Sequence, residues 1–229
     1  MTQKGCFRNS GMYCGREFLD YGIKSKDKVL DIGGGHHPFK YATHILDSDN
    51  KEFDVQRSNQ KIELRKGQTL INGTTDLLPE FKDKEFDFIH CSHIIEHIEN
   101  LPQCLDEISR IGKRGFIAVP HYLFDFLQVG TVSGHKWFCD YKDDTLRIMK
   151  RLPSDYDNKW VSIWAKMMWN GQNVPLCMYW EGHSTFGVRF LWEIRFFWED
   201  KIDYCLDDNL FPQLNIYREY VGGRDGRVG

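Results

Sequence analysis

The chain has 229 residues, 41% hydrophobic and 28% charged; this is enough to bury a core without staples, allows one domain with a large elaboration, and excludes disorder as the main state. The formal net charge is −3, and neither residues 1–120 nor residues 121–229 are basic, so no nucleic-acid partner or anionic membrane surface is expected. No apolar run is long enough for a membrane span, the N-terminal MTQKGCFRNSG lacks an export core, and the seven cysteines, without a C-x-x-C pair, read as reduced thiols of a cytoplasmic protein.

In chain order, Tyr13–Tyr21 reads as a short helix. Residues 28–32 (KVLDI) read as a strand ending at a glycine cluster, 43–46 as a short strand ending at Asp47, and 68–71 as a third. Residues 86–91 (FDFIHC) form a buried type of strand. Leu101, Leu105 and Ile108 share one face of a helix predicted over Leu101–Ile111. Gly112-Lys113-Arg114-Gly115 reads as a turn, and 116–119 as a strand stopped by Pro120. Further on, 159–169 is predicted helical, and 186–198 a strand broken by Glu193 and Arg195. This alternation implies an α/β, Rossmann-like three-layer sandwich with a mostly parallel central sheet. All seven tryptophans lie at or after Trp137, which gives the sandwich an aromatic-rich C-terminal elaboration. Residues 1–150 are expected to form the cofactor-binding core. Residues 151–229 are expected to complete the sheet and an acceptor pocket within the same domain.

The strongest local signal is VLDIGGGHHP, residues 29–38, a strand running into a glycine-rich turn where a ligand can approach the backbone. A dinucleotide site wants a third glycine and a full helix for the pyrophosphate. Here Pro38 takes that glycine's place, and the Asp31 carboxylate would repel a diphosphate but accept from a cationic amine. Asp47 closes the second strand, where a carboxylate suits two ribose hydroxyls.

These segments together resemble class I S-adenosylmethionine (SAM)-dependent methyltransferases. VLDIGGG resembles their first motif, LINGTTDLLPEF the stretch around the adenine, DKEFDFIHCSHIIEHI the fourth strand and its loop, and LPQCLDEISRIGKRGFIAVP the following helix, turn and fifth strand. The resemblance spans about residues 27–146. It is greatest to a type 11-like subgroup with a short crossover and a later H-x-W-F, here His135-Lys136-Trp137-Phe138, whose members often modify sugars or small metabolites. It implies SAM as cofactor: Asp31, Gly33 and Gly35 would line its methionine part, Asp47 its ribose, Asp76 and Leu77 its adenine, and Cys91 and Ser92 its reactive end. Two positions depart from the pattern, Thr74 where the family often has an acid and His37 where it has a third glycine.

His93-Ile94-Ile95-Glu96-His97 matches H-x-x-E-H, in which two histidines one helical turn apart can bind zinc. The match falls in the loop after a strand, so the peptidase reading is set aside, no metal is expected, and Glu96 and His97 are read as holding the loop. Removing a proton from a methyl acceptor suits histidine at neutral pH. His93, His121 and His135 follow strand ends on the cofactor side and are the candidate bases. Tyr122 and Trp137 are the candidate walls of the acceptor pocket. Trp160, Trp164 and Trp169 fall near helical spacing and read as a packed stripe, while Trp192 and Trp198 read as core or as the contact of a homodimer. The function expected is methyl transfer from SAM to an oxygen, less readily a nitrogen, of a small polar acceptor such as a carbohydrate, sugar nucleotide or surface-glycan precursor. The alternatives are a non-catalytic SAM-binding subunit or scaffold and, further off, a nicotinamide-dependent oxidoreductase.

Overall fold

The computed structural model describes residues 19–36, 38–48, 61–74, 81–122, 125, 134–152 and 193–210. Val29–Ile32 (β1) is buried along its whole length. It pairs in parallel with His44–Asp47 (β2) on one side and with Phe88–Ser92 (β4) on the other. Thr69–Asn72 (β3) extends the sheet beyond β2, and Arg114–Pro120 (β5) extends it beyond β4, both in parallel. Glu193–Glu199 (β8) closes the far side antiparallel to β5, giving the order β3-β2-β1-β4-β5-β8. Near-continuous apolar sequences such as VLDI and FIAV suit strands covered on both faces. The fold is therefore the expected α/β, Rossmann-like one, with a mostly parallel sheet.

Leu101–Ile111 (α1) forms as predicted. The Asn100 side chain accepts from the Gln103 N–H, and Pro102 stands in the first turn, where no partner for its missing N–H is needed. Its buried residues Leu101, Cys104, Leu105, Ile108 and Ile111 pack on the sheet face that presents Leu30, Ile89, Ile117 and Phe196. Each large aliphatic side chain so buried contributes roughly 1.5–3 kcal/mol. The opposite face presents Val29, Ile45, Phe88 and Phe116 and packs against Tyr21 and Ala42.

Four expectations change. The turn after α1 is shorter than predicted, because Arg114 and Gly115 already pair with Glu199 and Trp198 inside β5. Residues 19–21 are not helical, and the rest of the helix expected at Tyr13–Tyr21 lies outside the described residues. Glu193 and Arg195 do not break β8: they stand two apart on one face, both buried, and neutralise each other through the Arg195 Nε donor and Glu193 Oε2. A second sheet, not foreseen, is built from Trp137–Lys142 (β6), Thr145–Lys150 (β7) and Tyr204–Leu206 (β9). β6 and β7 form a hairpin through Asp143 and Asp144, both at positive φ (51° and 57°), the signature of a two-residue type I′ turn. This sheet seals the core with Cys139, Tyr141, Leu146 and Ile148, and the Tyr141 ring stacks on Phe196 at 4.6 Å. The predicted helix at 159–169, residues 186–192 of the predicted strand, and Trp160, Trp164, Trp169, Trp180 and Trp192 lie outside the described residues. Among those described, no helix is long and apolar enough to cross a membrane.

Candidate active site

Strand order reverses at β1: the chain leaves it toward β2, while β4 lies on its other side. At such a switch point the loops beyond the carboxyl ends of the strands part and leave a crevice. The turn after β1 sits there. Gly33 and Gly35 have φ of +69° and +56°, which glycine adopts without strain. The Gly33 N–H donates to the Leu46 carbonyl at 2.8 Å, and the Gly35 N–H donates to Asp47 Oδ2 at 2.7 Å. The turn and the carboxylate ending β2 are thus one unit. A Cβ on Gly35 would meet nothing within 4 Å, so the turn is open on that side. Gly33 differs: a Cβ there would lie 2.0 Å from Ile94 Cδ1, so the loop after β4 packs directly on it.

Asp31 stands within β1, just before the turn. It is buried, and its Oδ1 accepts from His90 Nδ1 at 2.7 Å while its Oδ2 accepts from the Phe39 N–H at 2.7 Å. The His90 ring stacks on Phe39, with centroids 4.1 Å apart. Asp31 is therefore a tether that holds the crossover down on β4. Cys91 is displaced from its expected role: its side chain lies in the core cluster with α1, and burial pushes its thiol well up. Ser92 ends β4 half-buried beside the crevice. Asp76, Leu77 and His37 lie outside the described residues.

Each candidate histidine has a carboxylate partner. His93, at φ +57°, donates from Nε2 to Glu193 Oε1 at 2.8 Å and has Glu96 Oε1 3.4 Å from Nδ1. Burial alone would lower its pKa, but the bonds and charges of Glu193 and Glu96 outweigh burial and raise it to about 9. His93 is thus an imidazolium at neutral pH and is a poor proton acceptor. A folded-state pKa raised above the unfolded 6.5 stabilises fully below 6.5, and that stabilisation is lost as pH rises through about 9. The melting temperature should therefore fall between pH 7 and 10, and fall less in Glu193→Gln. Equal falls in the two proteins would show that the pair is not the cause.

His121, directly after β5, donates from Nε2 to Asp140 Oδ1 at 3.2 Å, and His135 donates from Nδ1 to Asp125 Oδ1 at 2.8 Å. Tyr122 lies against His121, with ring centroids 4.4 Å apart, and packs on Phe138, Met149 and Leu210. Trp137 is not an acceptor wall. It is buried, and its indole N–H donates to the Ile98 carbonyl at 2.8 Å, which places it in the core. His90, Asp125, Asp140 and Glu193 were missed as partners. They lie 10 to 100 residues from the groups they bind, and no local spacing marks such pairs.

A glycine turn and a strand-end acid at the switch point of a parallel sheet mark the α/β proteins that bind nucleotide-like cofactors. Residues 13–143, more than half of the chain, match the family profile described as a methyltransferase domain, and the chain belongs to that family. Membership implies S-adenosylmethionine as the methyl donor. An uncharacterized protein of Methanocaldococcus jannaschii is 32% identical over 90 residues, covering 39% of this chain and 42% of its own. The chain thus spans less than half the length of the relative it matches. Among solved structures, an arsenic(III) S-adenosylmethionine methyltransferase from Chlamydomonas reinhardtii aligns with TM-score 0.35 and 18% identity, over 45% of this chain and 41% of that one. An S-adenosylmethionine-dependent methyltransferase from Mesorhizobium loti aligns with TM-score 0.34 and 17% identity, over 43% and 49%.

The described residues fit this donor. The open side of Gly35 admits a ligand against the backbone, and Asp47, held at the rim by the Gly35 N–H, offers the acceptor oxygens that ribose hydroxyls need. Asp47→Ala should weaken SAM binding by about 1–3 kcal/mol, the scale of a charged hydrogen bond. Titration calorimetry of the variant checks this, and unchanged affinity would remove Asp47 from the site.

Proposed function

We propose that the chain transfers a methyl group from SAM to an oxygen of a small polar acceptor, a carbohydrate, sugar nucleotide or surface-glycan precursor, with His121 as the base. The observation that supports this is that the Gly35–Asp47 unit and the His121–Asp140 dyad both stand at carboxyl ends of strands of the parallel sheet, the first after β1 and β2 and the second after β5. When bound, SAM supplies an electrophilic methyl on a cationic sulfur. Asp47 accepts from the ribose hydroxyls, and Gly35 leaves the room that lets them approach. Asp140 orients the His121 ring through Nε2, and the imidazole would take the acceptor's hydroxyl proton as the new O–C bond forms and the methyl's C–S bond breaks, leaving the demethylated thioether. Residues 1–150 are the cofactor-binding core in this reading, and 151–229 complete the acceptor side; Tyr122, against His121, is the acceptor contact. Incubation with SAM and a panel of sugars and sugar nucleotides should give a product heavier by one methylene unit. A panel in which only amines gain that mass would contradict the oxygen acceptor.

A further inference from the structure

The short turn after β4, Ile95–His97, and the segment entering β6 approach each other. The Lys136 N–H donates to the Glu96 carbonyl at 2.7 Å. At this junction Glu96, His97 and His135 each present one ligating atom, all within 4.8 Å of one another. The Glu96 side chain is fully buried, yet neither carboxylate oxygen has a hydrogen-bond partner; the closest cation, His93 Nδ1 at 3.4 Å, stands beyond good hydrogen-bond distance. The His93 imidazolium offsets part of the Glu96 charge but leaves both oxygens without a hydrogen-bond donor, a costly state for a buried carboxylate.

The two histidines are oriented for that task. The His97 Nδ1–H donates to the Gly134 carbonyl at 3.1 Å, and the His135 Nδ1–H donates to Asp125 Oδ1 at 2.8 Å. Both bonds select the tautomer with its lone pair on Nε2. Metal-bound histidines are characteristically held in this way, by a carbonyl or carboxylate on the other nitrogen. The rings meet edge to face at 4.6 Å.

We propose that Glu96, His97 and His135 bind one divalent transition-metal ion of the zinc class, pinning the loop after β4 to the second sheet. Two imidazoles and one carboxylate favour such an ion over magnesium, which prefers oxygen ligands. Bonds of 2.0–2.2 Å at tetrahedral angles put ligand atoms about 3.4 Å apart, so the three groups close by roughly 1.4 Å at most around the ion. The His93-x-x-Glu96-His97 pattern thus holds a metal with Glu96 and His97, not with its two histidines, and the third ligand comes from His135. The expectation of no metal is replaced accordingly. Asp125 is a positioning residue acting through His135.

The test uses the full chain, stripped with chelator and dialysed against zinc or magnesium without SAM or acceptor, so it stands or falls apart from methyl transfer. Elemental analysis should find one zinc per chain and no magnesium, and zinc should raise the melting temperature. His97→Ala, a partly exposed position, should lose the zinc, and Asp125→Asn should weaken it about 10–100-fold. Cobalt in the wild-type protein should show d–d bands without thiolate charge transfer, a readout that needs no variant to fold. Sub-stoichiometric zinc, zinc held equally by His97→Ala, equal uptake of magnesium, or a thiolate cobalt spectrum assigning the ion to cysteines would each overturn the site.

Discussion

His121→Ala is expected to lower methyl transfer by about 10²–10⁴, the usual contribution of a general base, while SAM affinity stays unchanged. The three histidines after strand ends are not equivalent, and geometry ranks them. His93 is held as an imidazolium between Glu193 and Glu96, so no lone pair remains to receive a proton. His135 faces Glu96 and His97, and Asp125 fixes it there. His121 pairs with Asp140 at the carboxyl end of β5. That carboxylate also lies 3.6 Å from Arg147 Nη1 and accepts from the Tyr141 N–H at 2.8 Å, so it is fixed as an orienter. Asp140→Asn should therefore keep the fold and lower turnover by less than His121→Ala. Full activity in His121→Ala would mean that proximity alone drives the reaction or that the base is another residue.

Asp31→Ala should destabilise the fold by about 3–5 kcal/mol, because removing one member of a buried, hydrogen-bonded pair strands the other. Here two donors are stranded, His90 Nδ1 and the Phe39 N–H. For a domain of this size the melting temperature should drop by roughly 6–20 °C. Asp31→Asn, which keeps an acceptor for one of them, should lose less. An Asp31→Ala protein that melts normally but no longer binds SAM would return Asp31 to the cofactor and remove the tether.

The elements that could be read directly were those whose patterns are local. β1 and β4 are short apolar runs, α1 carries its 3- and 4-residue spacing behind Asn100 and Pro102, and three glycines after VLDI mark the turn. A carboxylate before a glycine turn looks the same in sequence whether it faces ligand or core, and the His90 partner of Asp31 stands 59 positions away. Charges at Glu193 and Arg195 argued against a strand, yet each is the other's counterion on one face of β8. An indole carries a polar edge that suits a ligand wall, but the Trp137 edge is satisfied by the Ile98 carbonyl inside the core. The second sheet escaped notice because β9 joins β7 from across the sequence, a contact no periodicity announces.

Calorimetric titration of the folded protein with SAM, its demethylated product and NAD is the direct test of the Gly35–Asp47 unit as a methyl-donor site. Saturable binding of the first two and none of the third is predicted. Folded protein that takes up NAD, or that gives no heat with SAM or its product, would contradict the account.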